Sequence, residues 1–291
     1  MESQEQEKSS FWKKYAKITV GIILGCLIGF CLLILLLRWV NPPFTAFTLQ
    51  EEWNEFEQER YSLRESWISA DEIPDHLKLA VIASEDQRFY SHWGLDLTAI
   101  DKALEEKEKR GRIRGASTIT QQVAKNLFLS PAQNYLRKGI EAGIAVLIEL
   151  LWTKGRILEV YVNIAEFGPG IYGINKASEY YYGKPASGLD PTESARMATV
   201  LPNPKIIEPE PPSEYVLGRS QWILQNMEQL SGLHYLPEAD TSDTLPYIEK
   251  RPDSLVLSGS LNISVFGLDT LLPSPKMDTV SIEIEKDSLK D

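Results

Sequence analysis

Cysteine and histidine are scarce in this chain, and their scarcity limits its chemistry. Its 291 residues include two cysteines, Cys26 and Cys31, and three histidines, His76, His92 and His234. Both cysteines lie inside one apolar stretch, so the chain has no disulfide framework and no thiol–histidine metal pattern. The histidines also lack the H-E-x-x-H spacing of a metal-binding helix. We therefore expect no metal site built by the protein alone.

An excess of positive charge is lacking too. The formal net charge is −11, which argues against nucleic acid as the main partner. Much of this charge is local, because Leu236 to Asp291 contain 11 acidic and 5 basic side chains, a net of −6. Charged residues make up 24% of the chain and hydrophobic residues 43%, which excludes both a disordered chain and a multispanning membrane protein. The length suffices for one sizeable core with accessory segments.

One long apolar run lies near the N-terminus. Residues 18–37 read ITVGIILGCLIGFCLLILLL and contain no charged side chain. Twenty helical residues reach about 30 Å, the thickness of the hydrocarbon core of a bilayer. A cleaved signal peptide is the alternative, but its apolar part would be shorter and followed by small residues, whereas this run ends in RWVNPPF. We therefore predict a transmembrane anchor over residues 18–40.

The charges around the apolar run predict its orientation. Only Arg38 follows the run closely, whereas four lysines precede it: Lys8, Lys13, Lys14 and Lys17. The positive-inside rule then places residues 1–17 in the cytoplasm and everything after residue 40 on the outer face. Trp12, Tyr15 and Trp39 suit the two membrane interfaces.

The rest of the chain divides into a connector, a helical domain and a tail. Pro42 and Pro43 end the anchor helix, and residues 41–60 form a juxtamembrane connector. A mostly helical pattern follows, which we assign to one domain over residues 61–235.

Two segments of low helical pattern complete the prediction. Residues 105–115, EEKEKRGRIRG, are charged and glycine-rich at their end, which predicts a mobile loop. Residues 236–291 form an acidic extension in which SLVLSG and VSIEIE alternate like short strands. The sequence indicates no role for this extension.

The stretch ASEDQRFYSHWGLD, residues 83–96, concentrates ionisable groups between an apolar helical segment and a glycine. It holds Glu85, Asp86, Arg88 and His92 within eight residues. A solvated helix end, a metal site and an acid–base centre are the alternatives. Glu85 follows the apolar face of its helix, and partial burial there would raise its pKa and suit it to general acid or base catalysis.

The stretch GASTITQQVAKN, residues 115–126, predicts the start of a helix. Thr118 and Gln121 have the spacing of a capping box. Ser117, Thr118 and the unpaired N–H groups of such a helix start would suit an anion such as a phosphate, and Lys125 adds a positive charge two turns along. An ordinary well-capped helix is the alternative.

Two further stretches carry polar pairs at helical spacing. In LRKGIE, Arg137 and Glu141 are four residues apart, with Lys138 beside them. As a surface ion pair this would contribute only about 0.3–0.5 kcal/mol, but the apolar helix that follows indicates a buried element with one polar edge. In residues 154–184, Glu159 and Asn163 repeat the spacing, and EFGPGIYG then ends the helix.

Together and in this order, the four stretches resemble the peptidoglycan glycosyltransferases, which include monofunctional biosynthetic transglycosylases and the polymerising domain of bifunctional penicillin-binding proteins. The match spans roughly residues 60–230. The family patterns E-D-x-x-F-x-x-H-x-G, G-x-S-T-I-T-Q-Q, R-K-x-x-E and R-x-L-E-x-Y-x-N are met, respectively, by Glu85, Asp86, Phe89, His92 and Gly94; by Gly115, Ser117, Thr118, Ile119, Thr120, Gln121 and Gln122; by Arg137, Lys138 and Glu141; and by Arg156, Leu158, Glu159, Tyr161 and Asn163.

The resemblance implies a mainly α, lysozyme-like fold with a larger head and a smaller membrane-facing jaw. It implies polymerisation of lipid II, a polyprenyl-pyrophosphate disaccharide-peptide, into β-1,4-linked glycan strands on the outer face of the bacterial inner membrane. The implied partners are lipid II, the growing strand, the lipid bilayer and other wall-synthesis or division proteins. One anchor without a transpeptidase domain fits the monofunctional type.

The resemblance also implies roles for individual residues. Glu85 would be the general base, and Glu141 the second catalytic carboxylate, orienting cations or helping to hold a divalent metal. No cofactor is obligatory, although Mg²⁺ or Mn²⁺ at the donor pyrophosphate is compatible with the pattern. The implied substrate-binding residues are Asp86, Phe89, His92, Gly94, Ser117, Thr118, Gln121, Gln122, Lys125, Asn126, Arg137, Lys138, Arg156, Glu159, Tyr161 and Asn163.

The chain departs from the family at one position, and two other functions remain open. Many relatives carry an arginine in the loop where this chain reads SPAQNY, at about Gln133. A lysozyme-like hydrolase or lytic enzyme would need a carboxylic acid of raised pKa to protonate its leaving group and would not need the cationic cluster. A non-catalytic, membrane-tethered scaffold would not need Glu85.

Overall fold

The computed structural model of the chain describes residues 2–51, 63–110, 115–130, 135–233 and 235. The strands predicted within residues 236–291, the departure at Gln133 and most of the C-terminal half of the predicted connector lie outside these residues. In the part described, the α-helices are α1 (Glu2–Leu36), α2 (Ala46–Glu51), α3 (Asp75–Glu85), α4 (Leu97–Arg110), α5 (Ile119–Phe128), α6 (Tyr135–Leu151), α7 (Lys154–Ile164), α8 (Ile174–Tyr182), α9 (Pro191–Val200) and α10 (Glu214–Ser231).

Regular structure other than α-helix is sparse in the described residues. Strands β1 (Glu166–Gly168) and β2 (Ile171–Tyr172) form an antiparallel hairpin in which Glu166 pairs with Tyr172. Short 3₁₀ helices cover Phe89–Ser91 and Ala186–Gly188. The prediction of a mainly α protein is therefore confirmed, whereas its division into head and jaw lobes stays a prediction.

Helix α1 is a single continuous helix. Within the described residues it contains the one segment long and apolar enough to cross a bilayer, Trp12–Leu36, with 25 residues and a mean hydropathy of 2.9. The helix ends at Leu36, before the residue 40 predicted as the end of the anchor, and residues 37–39 form a turn. Its last turns are seated against the rest of the protein, since Ile34 is fully buried.

The core is built around α7. Nearly every residue from Arg156 to Ile164 is buried, so this helix is covered on all sides. Helices α5 and α6 pack on each other and on α7, while α3, α9 and α10 form a second packed group. Phe89, Tyr161 and Phe167 are the largest of the side chains that are almost wholly buried. Full burial of each apolar side chain contributes about 1.5–3 kcal/mol, so these contacts hold the functional helices in place.

The loop predicted for residues 105–115 is wrong over its first half. Residues 105–110 continue helix α4, in which Lys109 pairs with Glu105 at 3.4 Å, one helical turn away. Glutamate and lysine are good helix formers, and their i,i+4 pairing supports a helix that carries little apolar surface. Residues 111–114 lie outside the described residues.

Candidate active site

Glu85 is the last residue of α3, and its side chain is only partly exposed. Gln122 Nε2 donates to its Oε2 at 2.7 Å, and Ser84 Oγ lies 3.4 Å from its Oε1. Burial raises the pKa of Glu85, and the hydrogen bond from Gln122 and the positive charges of Arg219 and Lys125 oppose that rise only in part. A carboxylate of raised pKa at a partly exposed position is suited to accept a proton from a substrate.

Gln122 is itself held by Tyr161. The Tyr161 hydroxyl donates to Gln122 Oε1 at 3.0 Å, which turns the amide so that its nitrogen faces Glu85. Burial raises the pKa of Tyr161 well above its usual value, and the charges of Glu85 and Asp86 act in the same direction. The hydroxyl therefore stays protonated and remains a donor, so the three side chains form an ordered chain from the core to Glu85.

Asp86 braces the base of the site. His92 Nε2 lies 2.9 and 3.0 Å from its two carboxylate oxygens, and the backbone N–H of Ile119 donates to Oδ2 at 3.1 Å. Asp86 and His92 are both buried. The brace thus ties the end of α3 to the start of α5 and fixes Glu85 relative to Gln122. Asp86 and His92 act through this brace, and we assign them no direct contact with substrate.

Gly94 and Phe89 shape the loop that carries His92. Thr118 Oγ1 donates to the carbonyl of Gly94 at 2.6 Å. Gly94 has a φ of +75°, and a Cβ there would lie 3.0 Å from the backbone of Ala145 on α6, so only glycine fits. Phe89 is fully buried and faces the ammonium of Lys154, 4.4 Å from the ring centroid. These residues place the site by packing.

The capping box at the start of α5 is confirmed. Gln121 N–H donates to Thr118 Oγ1 at 3.1 Å, and Thr118 N–H donates to Gln121 Oε1 at 3.0 Å. Both side chains are buried. They hold the helix start, while Ser117, Lys125 and Asn126 keep partly or fully exposed positions around it.

A cluster of cations surrounds Glu141, which is 2% exposed. Arg137 Nη1 lies 2.9 Å from one of its carboxylate oxygens, and Lys138 Nζ contacts the other. Lys138 also donates to Ser117 Oγ at 2.8 Å, which links α6 to the segment before α5. The sequence thus predicted the pairing of Arg137 with Glu141 correctly.

Lys125 connects the cation cluster electrostatically to the base. Its pKa is lowered by burial and by the charges of Arg137 and Lys138, while the carboxylates of Glu141 and Glu85 oppose that shift. The cluster therefore contains three basic side chains around one buried carboxylate. Its excess positive charge, with the Lys138 side chain 45% exposed, suits a ligand bearing several negative charges.

The described residues do not offer a ligand set for a divalent cation. Both carboxylate oxygens of Glu141 are engaged by cations. No group of three histidine, cysteine, aspartate or glutamate side chains within the described ranges is arranged to hold a metal ion. A Mg²⁺ or Mn²⁺ ion at this site would thus depend on oxygen ligands from the substrate, and we derive no chemical step through it.

The fourth motif occupies a different part of the protein from Glu85, with the exception of Tyr161. Arg156 is buried and donates to the carbonyls of Leu37 and Val40. Glu159 accepts from Trp67 Nε1, and Asn163 pairs with the backbone of Ile68 on both its amide atoms. These contacts correct the role inferred for Arg156, Glu159 and Asn163: they join segments of the protein, and we assign them no substrate contact.

Arg219 is a member of the site that the motifs do not include. It lies on α10, its guanidinium stacks on Trp222 at 4.1 Å from the ring centroid, and its charge lowers the pKa of Glu85. Nothing in the spacing of α10 distinguishes this arginine from a surface residue. Its proximity to Glu85 follows from the packing of α10 against α3.

A carboxylate of raised pKa next to a separate cationic cluster defines the site of an enzyme that transfers a glycosyl group from an anionic leaving group. The transglycosylase family model matches residues 51–228, which include all of these side chains. The chain is 48% identical over 220 residues to the biosynthetic peptidoglycan transglycosylase of Pseudomonas entomophila strain L48, a match that covers 75% of this chain and 92% of that protein.

Two further relatives carry the same name. That of Stutzerimonas stutzeri strain A1501 is 50% identical over 208 residues, covering 70% of this chain and 85% of the relative. That of Marinomonas sp. strain MWYL1 is 48% identical over 210 residues, covering 72% of this chain and 89% of the relative. The chain therefore belongs to the transglycosylase family and is a peptidoglycan glycosyltransferase.

Proposed function

We propose that the protein polymerises lipid II into β-1,4-linked glycan strands and releases polyprenyl pyrophosphate. The single observation that carries this proposal is the pairing of Glu85, a half-buried carboxylate of raised pKa, with the exposed cations around Glu141. The names of the relatives support the substrate class, since those proteins are called biosynthetic peptidoglycan transglycosylases.

In the proposed reaction, Glu85 is the general base. A sugar 4-hydroxyl is far too weak an acid to ionise at neutral pH, so it needs a base within hydrogen-bond reach as it attacks. The acceptor oxygen forms a bond to C1 of the donor, the bond from C1 to the pyrophosphate oxygen breaks, and the hydroxyl proton passes to Glu85. Attack from the face opposite the leaving group inverts the configuration at C1.

The cation cluster stabilises the leaving group. The pyrophosphate gains negative charge as its bond to C1 breaks, and it needs cations and N–H donors rather than a strong general acid. Lys125, Arg137 and Lys138 supply the charge, and Ser117 lies beside Lys138. Glu141 keeps Arg137 and Lys138 in fixed positions, which lowers the reorganisation needed in the transition state.

We further propose that α1 crosses the bacterial inner membrane, with residues 1–17 in the cytoplasm and the helical domain on the outer face. The apolar length of α1 and the lysines before it support this orientation. A substrate held in the outer leaflet by its lipid meets a tethered enzyme at a higher effective concentration than it would meet a free one.

Incubation of the detergent-solubilised protein with labelled lipid II tests the proposed reaction. We expect long glycan chains and released polyprenyl pyrophosphate. Shortened strands from purified cell wall, with lipid II left intact, would instead identify a wall-cleaving enzyme. A lack of turnover in both assays, together with full cellular function of Glu85→Gln, would identify a scaffold.

Arg219 gives a prediction about pH. Its positive charge lowers the pKa of Glu85, so Arg219→Gln raises that pKa and reduces the deprotonated fraction of the base at a given acidic pH. The acidic limb of the pH–rate profile is therefore expected to move to higher pH in this variant. Because Glu85 is fully ionised at alkaline pH in both proteins, the loss of rate should be greatest at acidic pH.

The matched control for this pH shift is Arg219→Lys, which keeps the positive charge and should leave the acidic limb close to that of the parent. The measurement is the initial rate of lipid II polymerisation as a function of pH. An equal loss of rate at every pH in Arg219→Gln would contradict an electrostatic role and indicate a binding or folding role.

A further inference from the structure

Arg156 joins helix α7 to the end of the apolar helix α1. Its Nε and Nη2 atoms lie 3.2 and 3.0 Å from the carbonyl oxygen of Leu37, and Nη2 lies 3.0 Å from the carbonyl oxygen of Val40. Its Nη1 atom donates to Asn41 Oδ1 at 2.9 Å. The last carbonyl groups of a helix have no partner within it and carry the negative end of its dipole, so a guanidinium is a favourable cap.

The same contact exists in the opposite direction. Arg38, just after α1, donates from Nη1 to the carbonyl of Leu151, the last residue of α6, at 2.8 Å. Trp152, between α6 and α7, donates from Nε1 to the carbonyl of Ile34 in α1 at 2.7 Å. Each helix end is thus capped by an arginine from the other segment. We call Arg38, Trp152 and Arg156 together the reciprocal clamp.

The surroundings of Arg156 make the contact specific. Its Nη1 also lies 2.9 Å from Glu159 Oε1, which in turn accepts from Trp67 Nε1 at 3.1 Å. The guanidinium carbon lies 5.5 Å from the ring centroid of Trp67 and 6.0 Å from that of Trp152. A guanidinium buried in this way is stable only when its donors are satisfied, and the α1 end supplies most of the acceptors.

An apolar seat accompanies the polar contacts. Ile34 is fully buried, and the ring of Phe30 meets that of Phe128 on α5 edge to face at 5.2 Å. The last two turns of α1 therefore pack against the helices of the active site, and the guanidinium of Arg156 determines the rotation and height at which they do so.

The position of the clamp connects it to catalysis. It sits at the C-terminus of α6 and the N-terminus of α7. The opposite end of α6 carries Arg137, Lys138 and Glu141, and α7 carries Tyr161, which orients Gln122 towards Glu85. Because packed helices move as stiff rods, the orientation of α1 is passed to both halves of the active site.

We propose that the reciprocal clamp fixes the orientation of the active site relative to the membrane helix, and that Arg156 is its principal positioning residue. This inference rests on the proposed function, in which α1 spans the membrane and the substrate is held by its lipid. A fixed orientation keeps Glu85 and the cation cluster at the height where the pyrophosphate of a lipid-anchored substrate emerges from the bilayer.

The test measures orientation and activity separately in the full chain. Spin labels are placed at Leu24→Cys on α1 and Tyr180→Cys on α8, both exposed, in a protein whose two native cysteines are replaced by alanine. The parent in lipid nanodiscs is expected to give a narrow distribution of distances between the labels. In Arg156→Gln, which removes the fork of donors, the distribution should broaden at least twofold.

Activity provides the second readout. Arg156→Gln is expected to lose about tenfold in rate on lipid II embedded in vesicles but less than threefold on a short-chain, water-soluble analogue in detergent, where membrane height has no meaning. Arg156→Lys keeps the charge but not the fork, and should fall between the parent and Arg156→Gln. Arg38→Gln removes one contact and gives a milder variant should Arg156→Gln unfold.

A matched control is Arg196→Gln, which breaks a comparable arginine–glutamate pair, Arg196 with Glu210 at 2.9 Å, that involves none of the clamp residues. It should change neither the distance distribution nor the ratio of the two activities. A narrow distribution in both Arg156→Gln and Arg38→Gln, or equal losses on both substrates, would overturn the clamp. A parent that is inactive on lipid II but gives the expected distances would refute the proposed function alone.

Discussion

Glu85→Gln is expected to lower the rate of lipid II polymerisation about 10²–10⁴-fold, the usual contribution of a general base. Glutamine has nearly the same shape and can still accept a hydrogen bond from Gln122, but it cannot take a proton from the attacking hydroxyl. Because burial raises the pKa of Glu85, the parent should lose rate as the pH falls, whereas the residual rate of Glu85→Gln should lack that acidic limb. Initial rates with labelled lipid II across a range of pH measure both effects.

The control for Glu85→Gln is Glu179→Gln, the same substitution at an exposed position on α8. It should retain the parental rate. Thermal unfolding of both variants should resemble that of the parent, since Glu85 ends its helix and a neutral side chain avoids the cost of a buried charge. A variant Glu85→Gln that polymerises at the parental rate would remove the central assignment of the proposed mechanism.

Glu141→Gln is expected to produce the second largest effect, a loss of about 10²–10³-fold in rate, comparable to the loss of a donor that stabilises developing charge. The carboxylate holds Arg137 and Lys138 from below, and both become free to move when one of its oxygens is replaced by an amide nitrogen. Losing hydrogen bonds to charged groups should also lower the free energy of unfolding by about 1.5–3 kcal/mol.

Two measurements separate the catalytic and structural effects of Glu141→Gln. Initial rates at saturating lipid II report on the transition state, and thermal unfolding reports on stability. The matched control is Glu105→Gln, which removes the exposed partner of Lys109 and should leave both quantities unchanged. A loss of stability without a loss of rate would mean that Glu141 only supports the fold.

The features that the sequence predicted well depend on short spacings along one helix. The capping box of Thr118 and Gln121 and the pairing of Arg137 with Glu141 each involve residues three or four apart, which face each other in any α-helix. The apolar run of α1 is likewise a property of consecutive residues. The error at residues 105–110 arose because charge and nearby glycines were given more weight than the helix propensity of glutamate and lysine.

Contacts between distant segments were beyond the sequence. The hydrogen bond from Gln122 to Glu85 joins residues 37 positions apart, and that from Tyr161 to Gln122 joins residues 39 apart. The roles of Arg219 and Arg156 likewise depend on which helices pack together. The motif containing Arg156 drew attention to this residue for substrate binding, whereas its partners are carbonyl groups 116 and 119 positions earlier in the chain.

The sequence by itself determined the apolar helix, the mainly helical class, the family and the identity of the base and of the cations. These follow from residue types at fixed local spacing, which backbone geometry converts directly into neighbours. Only the tertiary structure decided that Arg219 acts on Glu85, that Tyr161 orients Gln122, and that Arg156 joins the anchor to the catalytic helices. Those contacts arise from the way helices pack, and packing depends on the shape of the whole core rather than on any local pattern.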